Sequence, residues 1–221
     1  MSWSGGKDSA VALYELLRKG TYEVFSLLTT VSEEFRRISH HGVRESLLDQ
    51  QAEAVGIPLH KVYLPSSLDG GCTNEVYESL MNEAMLTYHR NGIRAVAFGD
   101  LFLQDLREWR EANLAKIGLR AVFPVWHRPT GEFARDVIAL GFKARLSCVE
   151  GRLGENFVGR EYDEQLLLDM PDDVDPCGEN GEFHSFVYDG PIFKRSVPVG
   201  VGEIVNRGGR YFADLLPELA A

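Results

Sequence analysis

SGGKDS, at residues 4–9, is the stretch that decides the fold of this chain. Its adjacent glycines can take backbone angles closed to other residues, so backbone amides can approach a ligand closely. Residues 10–18 have the apolar spacing of a helix, which directs unpaired N–H groups and a partial positive charge at the same point. Lys7 adds a full positive charge, and the hydroxyls of Ser4 and Ser9 add hydrogen-bond donors. The stretch predicts a phosphate-binding loop, and it has neither the Walker A spacing nor the G-x-G-x-x-G fingerprint.

Composition limits the classes of protein to which the chain can belong. Its 221 residues can bury a core and suit one large domain or two small ones. The formal net charge of −10 argues against nucleic acid as a partner, because such binding needs a basic face. The sequence has no apolar run of membrane-spanning length and no secretory leader, so we expect a cytoplasmic protein without a membrane partner. The spacing of Cys72, Cys148 and Cys177 suits neither a disulfide framework nor a zinc site.

Helices alternate with strands through the first half of the sequence. We predict helices at 8–18, 43–55, 74–91 and 105–117, and strands at 23–30, 59–64, 94–98 and 121–123. This alternation indicates an α/β fold with a doubly wound parallel sheet. Ligands bind beyond the carboxyl ends of such strands, where Ser4, Thr30 and Asp100 fall. Because so few residues precede Ser4, either the first strand is very short or the natural start lies upstream of Met1, and we favour the second.

The character of the sequence changes after residue 128. We predict a helix at 130–140, a strand at 142–149, a short helix at 163–170, and strand-like segments at 183–188, 192–198 and 201–206. A glycine turn at 207–210 leads into a further strand-like pair. The sequence therefore predicts a nucleotide-binding domain at residues 1–128 and a smaller α+β domain, which binds the substrate, at residues 129–221.

Two stretches of the first half offer candidate site residues. Asp100 ends an apolar strand after a glycine, where its carboxylate can hold Mg²⁺ or the attacking group, or can simply cap the next segment. Arg44 can reach a nucleotide phosphate or pair with an acid on its own helix, such as Glu45. We expect His40 to be solvated, and the residues alone leave the role of His41 undecided.

The stretch DPCGENGEFHSF, at residues 175–186, is the second informative part of the sequence. Its proline and glycines force turns that hold Glu179 and Glu182 close together, and His184 then opens an aromatic strand. Clustered carboxylates on a constrained loop can bind Mg²⁺, orient a cationic substrate or act as a base. An acidic surface hairpin explains the same residues equally well.

Taken together, these motifs resemble one known family. SGGKDS is similar to the PP-loop of the N-type ATP pyrophosphatases, whose fold is of the HUP type. With HGVR at 41–44, GD at 99–100 and DPCGENGEFH at 175–184, nearly the whole chain resembles the diphthine–ammonia ligase family. The resemblance implies an enzyme that uses ATP and Mg²⁺ to adenylate a carboxylate, releases pyrophosphate, and transfers ammonia to the acyl group with release of AMP. It also implies ammonia and a carboxylate-bearing, diphthine-like acceptor as partners.

The resemblance also implies roles for individual residues. It assigns the binding of the ATP phosphates and of the metal to the loop residues Ser4, Gly5, Gly6, Lys7, Asp8 and Ser9. It also assigns nucleotide binding to Thr30, which lies at the strand end that meets adenine, and to Arg44. Catalytic roles fall on Lys7, Asp8, Asp100, Glu179 and Glu182, with Asp8 and Asp100 as metal ligands. Glu179, Glu182 and His184 face the acceptor, and Phe183 and Phe186 suit the trimethylammonium group that diphthine carries beside its carboxylate.

Two alternatives to the ligase remain open at this point. A PP-loop enzyme can act on another acceptor, such as tRNA or a small molecule. A nucleotide sensor can hold ATP or AMP without chemistry. Lys7, Asp8 and Asp100 count against the sensor, because simple binding does not need groups directed at a departing pyrophosphate.

Overall fold

Two pairs of parallel strands with flanking helices form the first half of the chain, in a computed structural model that describes residues 1–39, 41–65 and 72–218. The helices of this half are α1 (Lys7–Lys19), α2 (Glu45–Val55), α3 (Asn74–Arg90) and α4 (Gln104–Ala115), and the strands are β1 (Leu27–Ser32), β2 (Leu59–Leu64), β3 (Ala95–Ala97) and β4 (Arg120–Val122). Gly20 and Gly56 end α1 and α2 in left-handed conformations that favour glycine. The predicted alternation of helices and strands, and with it the α/β class, is confirmed.

Residues 1–3 connect the two strand pairs. On one side, Trp3 N–H donates to the carbonyl of Leu28 (2.7 Å) and Leu28 N–H donates to the carbonyl of Met1 (2.8 Å). On the other side, Ser2 N–H donates to the carbonyl of Ala97 at the end of β3 (2.9 Å). A short extended segment is therefore sufficient to place the phosphate loop between β1 and β3.

Apolar side chains lie in two clusters on opposite faces of these strands. Neighbouring residues of β1 divide between them, with Leu27 in one cluster and Leu28 in the other, as the alternation of side chains along a strand requires. Leu13 of α1 and Leu47 of α2 join the cluster of Leu27, which continues into the second half of the chain. Met85 of α3 joins the cluster of Leu28. Both faces of the strands are therefore covered by helices.

An antiparallel sheet with two helices forms the second half of the described chain. Its elements are α5 (Thr130–Ala139), β5 (Lys143–Glu150), α6 (Glu164–Asp169), β6 (Phe183–Asp189), β7 (Val199–Arg207) and β8 (Arg210–Pro217). The sheet order is β6-β5-β8-β7, and β7 and β8 form a hairpin across residues 207–210. The α+β character and the glycine turn are confirmed, whereas the exact domain bounds, 1–128 and 129–221, stay a prediction.

Two predicted strands differ from the structure. The segment 192–198 is not a strand, because the chain turns after Asp189 and runs across the end of α2, where Lys194 N–H donates to the carbonyl of Ala54 (2.8 Å). The strand predicted at 23–30 begins only at Leu27, because Phe25 lies exposed at the surface. Both errors came from reading an apolar run as a strand without knowing what it packs against.

Gln51 of α2 is the polar residue that ties this fold together. Its side chain is fully buried. Its Nε2 donates to the carbonyls of Gly5 (3.0 Å) and Val187 (2.6 Å), and its Oε1 accepts from Trp3 Nε1 (2.7 Å). One carboxamide thus joins the extended segment at residues 1–3, the phosphate loop and β6.

Replacement of Gln51 by alanine tests this role. Gln51→Ala leaves a buried indole N–H and two buried carbonyls without their partner and opens a cavity, so we expect a loss of about 3 kcal/mol in the free energy of unfolding. Gln50→Ala, at the neighbouring and less buried position, is the matched control and should change little. Denaturant unfolding of both variants measures the difference, and equal stability of the two would contradict the assigned role.

Candidate functional site

The predicted phosphate loop forms a tight turn at the start of α1. Gly6 is the residue before the helix and, as a glycine, has no side chain with which to cap the helix N-terminus. Gly5 has φ +77°, and a Cβ on it would lie 2.7 Å from Leu48 Cδ1, so this position requires glycine. Within the loop, Ser4 Oγ accepts from Gly6 N–H (3.2 Å), and Ser9 Oγ donates to the carbonyl of Gly6 (2.9 Å). The two predicted serines therefore hold the loop in shape.

Lys7 turns away from the loop into the second half of the chain. Its side chain is 1% exposed, and its ammonium donates to the carbonyl of Cys177 and to Asp8 Oδ2 (3.1 Å). The rings of Tyr162 and Phe183 lie 5.5 and 5.0 Å from Nζ. Burial works to lower the pKa of Lys7, but the surrounding negative charge, chiefly that of Asp8, outweighs it and raises that pKa. The ammonium is therefore charged and is held where the two halves of the chain contact each other.

Glu179 contacts the segment that follows β3, and this segment packs against the loop. Its Oε1 accepts from Leu101 N–H (2.8 Å). Gly99 packs on the start of α1 so closely that a Cβ would lie 2.8 Å from Ser9 N, so this segment, the loop and Glu179 are held together. Burial, with the charges of Asp8 and Asp100, raises the pKa of Glu179 to about 7.

Asp8 and Asp100, the two predicted metal ligands, have different surroundings. Asp100 forms an ion pair with Arg110 of α4 (2.8 Å), which the sequence analysis did not foresee. Asp8 shares its Oδ2 with Lys7, and its Oδ1 is buried and accepts no hydrogen bond from the part of the chain that the structure describes. Across the same residues, no group of three or more His, Cys, Asp or Glu side chains is arranged to hold a metal.

Glu182 does not face a binding surface, which corrects its expected contact with the acceptor. Its side chain is 3% exposed, and it accepts from Asp175 N–H (3.1 Å), Asn180 N–H (3.0 Å) and Asn180 Nδ2 (3.1 Å). The carboxylate therefore holds its own loop closed. Phe183 and Phe186 are also buried in the core, at 1% and 0% exposure, and cannot line a site for a trimethylammonium group.

Arg44 pairs with a residue that is distant in sequence. Its guanidinium binds both carboxylate oxygens of Asp214 on β8 (2.8 and 2.6 Å), rather than an acid of its own helix. Arg37 donates to the same carboxylate (2.9 Å) and to the carbonyl of Gly42 (2.7 Å). These contacts join the loop before α2 to the C-terminal sheet, and they occupy the side chain expected to meet a phosphate.

A cavity of about 770 Å³ opens beyond the ends of β1 and β2. Its lining comes from both halves of the chain and includes Thr30, Ser32, Arg37, Gly42, Tyr77 and Phe212. Thr30 was predicted to meet the nucleotide, and its strand end forms part of this lining. Gly42 is the neighbour in sequence of His41, whose ring lies at Gly6, so one lining residue adjoins a residue that contacts the phosphate loop.

Sequence reasoning missed the residues that hold the site in place. Gln51 and Ser185 contact the loop from α2 and β6, and Ser185 Oγ accepts from Lys7 N–H (3.2 Å). Asp214 was missed as the partner of both arginines. Ser185 falls inside the stretch 175–186, but nothing local shows the contacts of these three residues, because each acts on a segment far away in the sequence. His40 lies outside the described residues.

Comparison with known proteins identifies the family. The family described as diphthamide synthase N-terminal domain matches residues 1–121, and the one described as diphthamide synthase C-terminal domain matches residues 129–214. The chain belongs to the diphthamide synthase family. Its similarity extends to curated proteins named diphthine–ammonia ligase, at 27% identity in Mus musculus and 25% in Homo sapiens, each over 95% of this chain and 85% of the relative. In Danio rerio the identity is 25%, over 95% of this chain and 89% of the relative.

Membership of the diphthamide synthase family agrees with the resemblance found in the sequence motifs. Both family matches include the parts of the chain that form the site, since the first contains the phosphate loop and the second contains the stretch around Glu179. Throughout the ranges that the structure describes, none of the helices combines the length and apolar character that a membrane crossing requires.

The role of Glu182 in the diphthamide synthase fold can be tested by pH-dependent stability. Burial acts to raise its pKa, but the hydrogen bonds from Asn180 and backbone amides outweigh burial and lower it. A lowered pKa contributes stability that is present above about pH 4.3 and is lost as the pH falls further. We therefore expect Glu182→Gln to lose about 2 kcal/mol at pH 7, with a smaller loss at pH 3.5.

Denaturant midpoints at the two pH values measure this effect. Glu155→Gln removes an exposed carboxylate from the loop between β5 and α6. It is the matched control, and we expect little change in its stability. A loss for Glu182→Gln that is equally large at both pH values would contradict the argument.

Proposed function

We propose that this chain is an ATP-dependent carboxylate–ammonia ligase of the diphthine–ammonia ligase type. A carboxylate oxygen of the acceptor attacks the α-phosphorus of ATP, and the bond to the β-phosphate oxygen breaks to release pyrophosphate. The nitrogen of ammonia then attacks the acyl carbon, the bond to AMP breaks, and a proton leaves the nitrogen. The observation that carries the proposal is the tight glycine loop at the start of α1, beside which Asp8, Asp100 and Glu179 come together from three segments.

The ATP site combines the loop with the adjacent cavity. Phosphate oxygens bind at the N-terminus of α1 and at the loop amides other than those of Gly6 and Lys7, which donate to Ser4 and Ser185. The adenosine extends past the end of β1 at Thr30 into the cavity, whose 770 Å³ lies within the range of small-molecule pockets. This arrangement agrees with a doubly wound sheet built from β2, β1, residues 1–3, β3 and β4, in which ligands bind at the carboxyl ends of the strands. A cytoplasmic location stays a prediction from composition.

Magnesium fits this site through Asp8. Mg²⁺ is usually held by one or two carboxylates together with phosphate oxygens and water, so a complete protein cage is not needed. The buried Oδ1 of Asp8 is an oxygen donor that the described residues leave without a hydrogen bond, and Asp100 is a second carboxylate nearby, paired with Arg110. The ion, when bound, supplies charge neutralisation for the departing pyrophosphate.

The acceptor is a molecule that bears a carboxylate, and diphthine gives its name to the relatives' activity. Of the acidic and aromatic groups expected around its cation, Glu182, Phe183 and Phe186 are buried. Glu179 is the remaining candidate, and it lies beside the loop where the α-phosphorus must be attacked. We assign Glu179 the removal of the proton from the attacking ammonia, because its pKa of about 7 suits a general base.

A pyrophosphate assay tests the proposed reaction. The protein is incubated with ATP, Mg²⁺ and ammonium, with and without a diphthine-bearing acceptor, and the nucleotide and phosphate products are separated. We expect AMP and pyrophosphate in equal amounts and only when the acceptor is present. Formation of ADP would overturn the ligase, because it means cleavage at the γ-phosphorus. Tight ATP binding without turnover under all these conditions would also overturn it and would favour another acceptor or a sensor.

Two aspartate variants, at Asp8 and at Asp105, are compared in this assay. Asp8→Asn removes the carboxylate assigned to the metal, so we expect pyrophosphate release to fall by about 100-fold or more. Asp105→Asn removes an exposed carboxylate from the first turn of α4 and should keep its activity. Comparable rates for the two variants would remove Asp8 from the mechanism.

The pH dependence of turnover tests Glu179. The base acts only when deprotonated, so the ratio of wild-type to Glu179→Gln turnover should rise as the pH increases through about 7 and then level off. We expect a plateau of about 100-fold. The ratio cancels the protonation of ammonium itself, because both proteins receive the same ammonium at each pH. A ratio that does not change from pH 5.5 to pH 8.5 is the contradictory result.

Stability provides an independent measurement of the same pKa. A carboxyl group whose folded pKa lies above its unfolded value stabilises the fold when protonated, and this contribution is lost as the pH rises through the folded pKa. Wild type should therefore lose stability relative to Glu179→Gln between pH 5 and pH 8. Glu155→Gln, at an exposed position, is the control and should follow wild type.

A further inference from the structure

Two imidazole rings are stacked beside the phosphate loop. The rings of His41 and His184 have their centroids 4.3 Å apart and their planes at 28°. His41 comes from the segment before α2, and His184 comes from β6, so each half of the chain contributes one ring. A Cβ on Gly6 would lie 3.4 Å from His41 Cε1, so the ring of His41 is in contact distance of the loop, and His184 stacks on that ring.

Neighbouring contacts fix both rings relative to the loop. Ser185, which follows His184, accepts the N–H of Lys7 at the first turn of α1 and is 2% exposed. Gly42, which follows His41, has φ +69° and packs so closely on Phe212 that a Cβ would lie 2.8 Å from its ring. Each histidine is therefore next in sequence to a residue whose position is fixed by its contacts. These contacts hold the stacked pair near Gly6.

The loop needs positive charge on its phosphate-binding side, and Lys7 is directed elsewhere. The buried ammonium of Lys7 is held by Asp8 and by the carbonyl of Cys177, between two aromatic rings. Imidazole can donate hydrogen bonds to phosphate oxygens and carries a positive charge when protonated.

We propose that His41 and His184 together bind the β- and γ-phosphates of ATP and then the pyrophosphate that leaves. This inference rests on the proposed function, because it assigns a side-chain site to the leaving group of that reaction. The ring of His41 contacts the loop at Gly6, whereas Gly42 and Thr30 line the cavity assigned to adenosine. The two halves of ATP therefore meet different residues, and binding of each half can be measured separately.

Calorimetric titrations with inorganic pyrophosphate and with AMP, each with Mg²⁺, test the proposal. His41→Gln and His184→Gln keep a hydrogen-bonding side chain but remove the charge, so each should weaken pyrophosphate binding about tenfold and leave AMP binding within about twofold of wild type. His60→Gln is the matched control, because His60 is exposed at the amino end of β2, away from the loop. Its affinities for both ligands should equal those of wild type.

The outcomes separate this inference from the proposed function. Pyrophosphate affinity that is unchanged in both variants, while wild type cleaves ATP, overturns the histidine assignment and leaves the ligase intact. An equal loss of AMP and pyrophosphate affinity also overturns it, since a general disturbance of the site explains that result. If wild type binds neither ATP nor pyrophosphate, both proposals fail.

A second measurement applies if a histidine variant does not fold. In wild-type protein labelled with ¹⁵N at histidine, pyrophosphate should shift the ring signals of two histidines, and AMP should leave those two nearly unchanged. The signal of His60, assigned with the control variant, should not respond to either ligand. Ring signals that are unaffected by pyrophosphate at saturation overturn the proposal without any variant of the pair.

Discussion

The carboxamide of Gln51 is the interaction on which the rest of the structure depends. It is fully buried and hydrogen-bonded to Trp3, Gly5 and Val187, which belong to three separate segments. A buried amide that lost these partners would carry the full cost of its desolvation, so α2 has to lie where the three segments meet. That position fixes the phosphate loop against β6, and it makes the second half of the chain part of the proposed nucleotide site.

The same dependence is seen in the charged groups around the loop. Lys7 extends from α1 into the second half, while Glu179 extends from the second half to Leu101 beside the loop. Arg44 and Asp214 make a similar connection on the other side of the cavity. The proposed catalytic groups are therefore positioned by contacts between the two halves, and neither half contains the site by itself.

Local rules were sufficient for the elements of the fold and for the loop. The strand Leu59–Leu64 has the predicted bounds, and α1 begins directly after the glycines because Gly5 needs a left-handed backbone. The apolar segment 192–198 was misread because its backbone N–H groups donate to scattered carbonyls, those of Ala54, Tyr188 and Gly190, and not to one strand. Apolar content indicates burial, but it does not specify which partner accepts the hydrogen bonds.

Site residues were harder to predict than site segments. The sequence indicated that the stretch 175–186 matters, but only the contacts separate Glu182, which holds its own loop, from Glu179, which reaches Leu101 in the segment after β3. Arg44 was expected to meet a nucleotide phosphate or to pair with an acid on its own helix, yet its partner Asp214 is on β8. Such partners cannot be found from one sequence, because the two residues share no spacing or periodicity. The stacking of His41 on His184 is a contact of the same kind.

The measurement that tests the central claim most directly is the transfer of labelled oxygen. An acceptor with ¹⁸O in its carboxylate is converted by the enzyme with ATP and ammonium, and the AMP is analysed by mass spectrometry. Attack of the carboxylate on the α-phosphorus, followed by displacement of AMP, predicts one ¹⁸O atom in each AMP formed. AMP without the label would mean that water attacks the α-phosphorus, and label in inorganic phosphate would mean activation at the γ-phosphorus. Either result would contradict the assignment of this loop to acyl-adenylate chemistry.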